Sequence, residues 1–279
     1  MRTTSYWAAG HIRRNLVLLG LCALFAFAAR PASADDLRPL CPDRPGKGTS
    51  PCTLDEGHFQ LEVDAFDGTF DWSGGVATDT YMLAAPALKY GLTGTIDVEA
   101  SFAPYVSQRT ETALSDTTQR GHGDLYLRTK WNFLDSDGPL TAVVEPFVKI
   151  ATATRGLGDG ALEEGVVLPV AYDLGEGWSL SSTPELDLML NASGSGRHAT
   201  AINVIGLGKA LDDGVALGAE VWTSQDFDPL AVTSQYSFDL DAAWQPAGNG
   251  NFQLDGGVNF GLNRNTPDVQ FYMGVSQRV

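Results

Sequence analysis

The chain has 279 residues, 34 Asp and Glu against 18 Lys and Arg, and a formal net charge of −16 at pH 7. So acidic a chain is not built to hold nucleic acid, whose phosphates need clustered Lys and Arg. Beyond the first 34 residues no stretch approaches the roughly 20 apolar residues of a spanning helix, so a membrane role must come from strands.

Arg13 and Arg14 precede an apolar run from Leu16 to Ala29, and Ala32-Ser33-Ala34 fits the small-x-small cleavage rule. This pattern predicts a secretory signal peptide over residues 1–34, cut before Asp35. Its removal takes away four arginines and no acid, which moves the formal charge from −16 to about −20. Residues 35–55 follow as a periplasmic lead-in or a small plug at the mouth of whatever comes next. Within CPDRPGKGTSPC, Cys41 and Cys52 are expected to form a disulfide closing a Pro/Gly-rich loop, because the compartment is oxidising and the pair is close. Without a nearby pair of histidines, the two cysteines are not expected to make a metal site.

From residue 56 to 279 apolar and polar residues alternate. Leu125, Leu127, Thr129, Trp131 and Phe133 fall on one face of GHGDLYLRTKWNFL, and Asp124, Tyr126, Arg128, Lys130 and Asn132 on the other. Period two marks a strand with one apolar and one polar surface, and this strand is long enough to cross a bilayer at the usual tilt. Comparable stretches begin near Phe59, Ile96, Trp178, Val215, Tyr236 and Val269; those over 79–91, 199–211 and 251–262 alternate less clearly. The expectation is an all-β, antiparallel, up-and-down transmembrane barrel of about 12 strands. Turns at 91–95, 135–139, 173–177, 212–214 and 247–250 are short. The connections at 67–78, 107–120, 151–165, 192–197, 226–232 and 263–267 are mostly longer. That asymmetry is characteristic of outer-membrane barrels, short turns on the periplasmic side. Tyr90, Trp131, Phe133, Trp178, Trp244 and Phe252 all lie near the short turns, where an interfacial aromatic girdle belongs.

The polar phase carries the candidate lumen-lining residues. Glu62, Asp64, Asp97 and Glu99 come first in the chain, then Asp124, Arg128, Lys130, Glu145 and Lys149. Glu185, Asp187, Glu220, Asp239 and Asp241 complete the set. Two readings stay open: a charged lumen that filters solutes by sign, or a network of acids and bases paired across neighbouring strands. Unpaired buried charge is costly, so Arg128, Lys130 and Lys149 are expected to have acidic partners. The glycines at 156, 158 and 160 are not followed by a helix, so they read as a flexible external loop and not as a phosphate cradle.

GHGDLYLRTKWNFL, then VEPFVKIATATRGLGDGALEEGVVLPVAY, then GWSL, resemble the outer-membrane transporter family labelled MetA-pathway of phenol degradation. Tyr90-Gly91-Leu92-Thr93 resembles that family's turn after its second strand. The likeness spans roughly residues 54–279. It departs at the end, Gln277-Arg278-Val279, where such barrels usually finish in an aromatic residue. The resemblance implies a small outer-membrane barrel concerned with passage of hydrophobic or aromatic compounds, and it supplies no catalytic residues.

His11, His58, His122 and His198 are scattered, with no zinc-binding spacing and no serine clearly placed to make a surface-active hydrolase. No enzyme activity, cofactor or metal is expected. The expected function is passive passage of small molecules, hydrophobic or aromatic ones among them, across a Gram-negative outer membrane. The expected partners are outer-membrane lipid, lipopolysaccharide, the barrel assembly machinery and an unidentified small solute. The alternative is a closed structural or binding barrel without transport; a soluble secreted β-protein is the third reading.

Overall fold

The computed structural model describes residues 37–134 and 138–279. The expected signal peptide and part of the 135–139 turn lie outside the described residues. Fifteen strands form one antiparallel sheet among the described residues. In chain order these are β1 (Phe59–Ser73), β2 (Val76–Thr93), β3 (Ile96–Phe102), β4 (Tyr105–Glu111) and β5 (Asp116–Gly121). Next come β6 (Leu125–Asn132), β7 (Leu140–Ile150), β8 (Glu163–Val167), β9 (Val170–Gly175) and β10 (Trp178–Leu190). The last five are β11 (Arg197–Ala210), β12 (Val215–Asp226), β13 (Thr233–Trp244), β14 (Phe252–Gly261) and β15 (Val269–Arg278).

The sheet closes because β1 pairs with β2 on one edge and with β15 on the other. Three of the twelve staves are each interrupted once. β3 and β4 both pair with β2 and are separated at Ala103-Pro104; β5 and β6 are separated at His122–Asp124; β8 and β9 are separated at Leu168-Pro169. A proline cannot donate to the ladder, which explains two of the breaks. The result is a closed twelve-stave barrel with up-and-down connections.

The two faces obey the alternation. Leu127, Leu180, Leu186, Leu207, Leu217, Phe238, Phe271 and Met273 are exposed on the outside. Charged residues of the inward phase, such as Lys130, Glu145 and Asp239, are buried. An apolar exterior over a polar interior is the arrangement a bilayer stabilises and water does not. Trp131, Phe133, Trp178 and Trp244 stand exposed near the short-turn end, where amphipathic rings meet headgroups.

Two connections expected to be long are strand instead. β1 and β2 run on to a two-residue turn at Gly74-Gly75, and β4 and β5 meet at a tip spanning 112–115. β2 has 18 residues, well beyond the 9–11 that cross a bilayer, so these hairpins project past the membrane. The β4–β5 hairpin is polar on both faces there, whereas Phe66, Phe70 and Trp72 on β1 keep an apolar phase against Asp67, Thr69 and Asp71.

Candidate functional site

The interior is organised by residues 38–55, which lie against inward-facing side chains at the short-turn end. The Cys41–Cys52 disulfide, with Cα atoms 5.9 Å apart, closes a loop bearing Asp43, Arg44 and Lys47. Closing a loop of that size restricts the unfolded chain and stabilises by about 2–3 kcal/mol.

Each charge of the loop meets the wall. Asp43 accepts from Lys130 Nζ at 2.7 Å and pairs with Lys89, while its own backbone N–H donates to Glu62 Oε2 at 3.0 Å. Lys89 also pairs with Glu62 at 2.5 Å. Burial alone would raise the Asp43 pKa, but Lys130 and Lys89 outweigh it and hold the carboxyl well below the usual range. Arg44 pairs with Asp64 and, at 2.8 Å, with Asp255. Burial would lower its pKa, and the two carboxylates raise it instead.

Lys47 lies on the opposite wall. Its Nζ donates to Ser237 Oγ at 2.8 Å and sits 4.3 Å from the centre of the Trp222 ring. Its backbone N–H donates to Glu220 Oε2 at 2.8 Å, and that of Gly46 to Tyr272 Oη at 3.0 Å. The neighbouring loop residue Leu54 donates its N–H to Asp97 Oδ2 at 2.9 Å. Ties therefore run to strands on both sides of the barrel, from β1, β2, β3 and β6 to β12, β13, β14 and β15.

Two glycines make room for this segment. A Cβ at Gly91 would stand 2.1 Å from the Asp55 carbonyl oxygen, where the segment crosses β2. A Cβ at Gly274 would meet the Val63 carbonyl at 2.3 Å and the Arg44 guanidinium at 2.4 Å. Only a residue without a side chain allows backbone to approach this closely.

Above the segment, Arg128 bridges Glu99 at 3.1 Å and Glu145 at 3.4 Å, and stacks over Tyr126. Glu145 lies 3.6 Å from Lys130. Lys149 belongs to a separate group nearer the long loops, with Glu163 at 2.5 Å, Asp159 at 2.6 Å and Asp124 at 3.9 Å. Asp124 also accepts the backbone N–H groups of Thr152 and Ala153 at 2.8 and 2.7 Å. The 151–162 loop is thus tied down over its own barrel end and is not the free external loop its glycines suggested. Glu185 and Asp187 are half-buried on β10, and the Asp241 carboxylate lies over Gly218. The three bases expected to face inward, Arg128, Lys130 and Lys149, all have acidic partners, but Lys130 finds its nearest one on the N-terminal segment and Lys149 finds one on a loop.

Between the segment and the loop lies a cavity of about 700 Å³. Met82, Pro86, Phe102, Val106 and Leu157 give it apolar wall, while Asp64, Asp67, Glu99 and Arg128 give it charge. Among the described residues, no group of three His, Cys, Asp or Glu side chains is arranged to hold a metal ion.

Sequence reasoning missed Lys89, Asp255 and the whole charged tip of the disulfide loop. Ala85-Pro86 blurs the alternation before Lys89, and Asp255 sits in a glycine-rich strand. One signal was available: inward acids exceed inward bases, and the nearest uncommitted cations, Arg44 and Lys47, lie in the loop.

The chain is similar to the COG4313 outer membrane channel from Pseudomonas putida F1, with a TM-score of 0.61 and 16% identity over 85% of this chain and 99% of that one. It is similar to the NanC porin with a TM-score of 0.52 and 8% identity, over 78% of this chain and 100% of that one. None of the curated proteins compared with it matches. The family described as "Putative MetA-pathway of phenol degradation" matches residues 42–279, and the chain belongs to that family.

Proposed function

We propose that the protein is an outer-membrane channel through which small molecules with an apolar or aromatic part cross passively. In this reading the inward charges line the passage, and the N-terminal segment narrows its periplasmic, short-turn end. The observation that carries it is the cavity of about 700 Å³ inside the barrel, whose walls mix apolar side chains with a few charges. That volume is in the range of sites holding drug-sized molecules. Channel and porin neighbours and the family label support the reading; neither points to catalysis. Outer-membrane lipid, lipopolysaccharide and the assembly machinery are the partners such a barrel requires.

A closed binding barrel is the second reading, favoured by the ties that run from the segment to both walls. Planar-bilayer conductance separates the two. The triple variant Asp43→Asn, Arg44→Gln, Lys47→Gln keeps the chain length and the backbone ties and releases the ionic ones. It is expected to conduct severalfold more than the wild type, and both are expected to prefer cations in a salt gradient, as fixed acids in a narrow passage dictate. Silence from both proteins sinks the channel and leaves the closed barrel.

A further inference from the structure

The contacts of Lys47 are those of a ligand as well as of a latch. Its ammonium meets a hydroxyl, an aromatic face and a carboxylate, all from two adjacent strands: Ser237 Oγ at 2.8 Å, the Trp222 ring at 4.3 Å and Asp239 Oδ1 at 3.9 Å. Cation over indole within about 6 Å is an attractive arrangement, strongest where water is excluded. Asp239 is 0% exposed. Its Oδ2 accepts from Ser237 Oγ at 3.0 Å, whereas its Oδ1 is buried and accepts no hydrogen bond. A buried carboxylate oxygen left without a donor is costly, and Lys47 stops short of filling the need.

The occupant is the exchangeable part. Lys47 sits on a loop and not on a strand, keeps about a quarter of its side chain exposed (23%), and borders the cavity. Burial lowers its pKa, and the pull of Asp239, Glu220 and Asp67 does not fully offset that. The bound ammonium is therefore held less firmly than its acidic surroundings suggest. The acids on this wall, Glu220, Asp239, Asp241 and Asp255, outnumber the two loop cations that reach it.

We infer that Trp222, Ser237 and Asp239 form a binding site for a primary organic ammonium ion with an apolar or aromatic body, and that Lys47 is its tethered occupant. Of this group Lys47 alone borders the cavity, so a soluble amine there reaches the carboxylate and ring only by displacing Lys47. The tether presents Lys47 at an effective concentration on the order of millimolar or above, so the wild type binds such an amine weakly. The site exists whether or not solute crosses the barrel, so it stands apart from the channel reading.

Calorimetric titration of the refolded full chain in detergent micelles tests the site without any flux. The probe is benzylammonium at pH 7, with benzyl alcohol as its neutral counterpart. Lys47→Gln is expected to bind benzylammonium at least tenfold tighter than the wild type, and benzyl alcohol no tighter. Adding Asp239→Asn to Lys47→Gln is expected to remove that gain; where this double variant does not refold, Trp222→Leu on the same background takes its place. Equal benzylammonium affinity in wild type and Lys47→Gln overturns the site and leaves a structural ion pair only. So does a gain that benzyl alcohol shares, or one that survives in whichever of these double variants refolds.

Discussion

The two ends of the barrel interior are restricted by different means. At the short-turn end a disulfide-closed loop puts charges among charges: Lys89, Lys130 and Glu62 are each no more than 3% exposed, and all three engage Asp43. At the long-loop end the 151–162 loop is held by backbone N–H groups on Asp124 and by a single ionic tie, Asp159 to Lys149. Redundancy separates the two ends. Lys149 keeps Glu163 at 2.5 Å if Asp159 is lost. Without Asp43, Lys89 keeps Glu62 at 2.5 Å, but among the described residues the carboxylate left within 4 Å of Lys130 is Glu145 at 3.6 Å. Breaking one partner of a buried pair strands the other, whereas breaking a partly exposed one costs little. The short-turn end is thus built to stay, and the long-loop end can be rearranged cheaply.

The largest break in this contrast is Asp43→Ala. It should lower the unfolding free energy in urea by about 3 kcal/mol, the lower end for a broken buried pair, because the Asp43 side chain is itself 18% exposed. A loss below that of a surface pair would mean that the charges of this end are solvated, and the contrast would fail.

Replacing Cys41 and Cys52 together with Ser comes next. The loop keeps its ionic ties, so the expected cost is the closure term alone, about 2–3 kcal/mol. Conductance noise should rise with it, as the untethered loop samples undocked states. An unchanged trace would show that the ions suffice.

Asp159→Asn is the matched probe at the other end. Asp159 is 33% exposed and its pKa is lowered, because the hydrogen bond from Lys149 and the Ala161 N–H together outweigh burial. The expected cost is no more than about 1 kcal/mol. A cost equal to that of Asp43→Ala would erase the difference between the ends.

The smallest expected effect is a null one. The folded pKa of Asp43 lies below its value in the unfolded chain, so its stabilisation is complete above the ordinary Asp range and is lost only as pH falls toward the depressed value. The part of the stability gap between wild type and Asp43→Asn that the Asp43 proton carries should therefore be constant from pH 8 to pH 5 and close only in stronger acid. Any slope within that span belongs to the neighbouring carboxyls Glu62, Asp97 and Glu145. Lys89, Lys130 and Glu62 face Asp43, and Lys89 and Lys130 keep their positive charge throughout that span. A gap that closes near pH 6 would assign the latch to another carboxylate.

Most of the barrel was legible in the residues. Leu127, Leu217 and Phe238 had to face lipid once Arg128, Glu220 and Asp239 shared the opposite phase, because side chains alternate along an unbroken stretch of strand. The β4–β5 hairpin was not legible, since Gln108, Arg109, Thr117 and Thr118 offer no apolar phase; the β1–β2 hairpin carried one in Phe66, Phe70 and Trp72, inside a stretch read as a loop. Lys89 was hidden by its neighbours Ala85, Pro86 and Ala87, which give no polar phase to extend. Of the ionic network, the need for partners was readable from Arg128, Lys130 and Lys149, but the partners were not: Asp43 is 87 residues from Lys130, and nothing local ties the two.

The sequence by itself determined the fold class, the lipid face and the presence of a disulfide-closed loop, because alternation, turn chemistry and cysteine spacing are local and each residue declares them. Only the tertiary structure decided where that loop goes. A loop with no periodicity has no preferred face of its own, and its position follows from matching Asp43, Arg44 and Lys47 to carboxylates and ammonium groups that closure of the barrel brings together across the lumen.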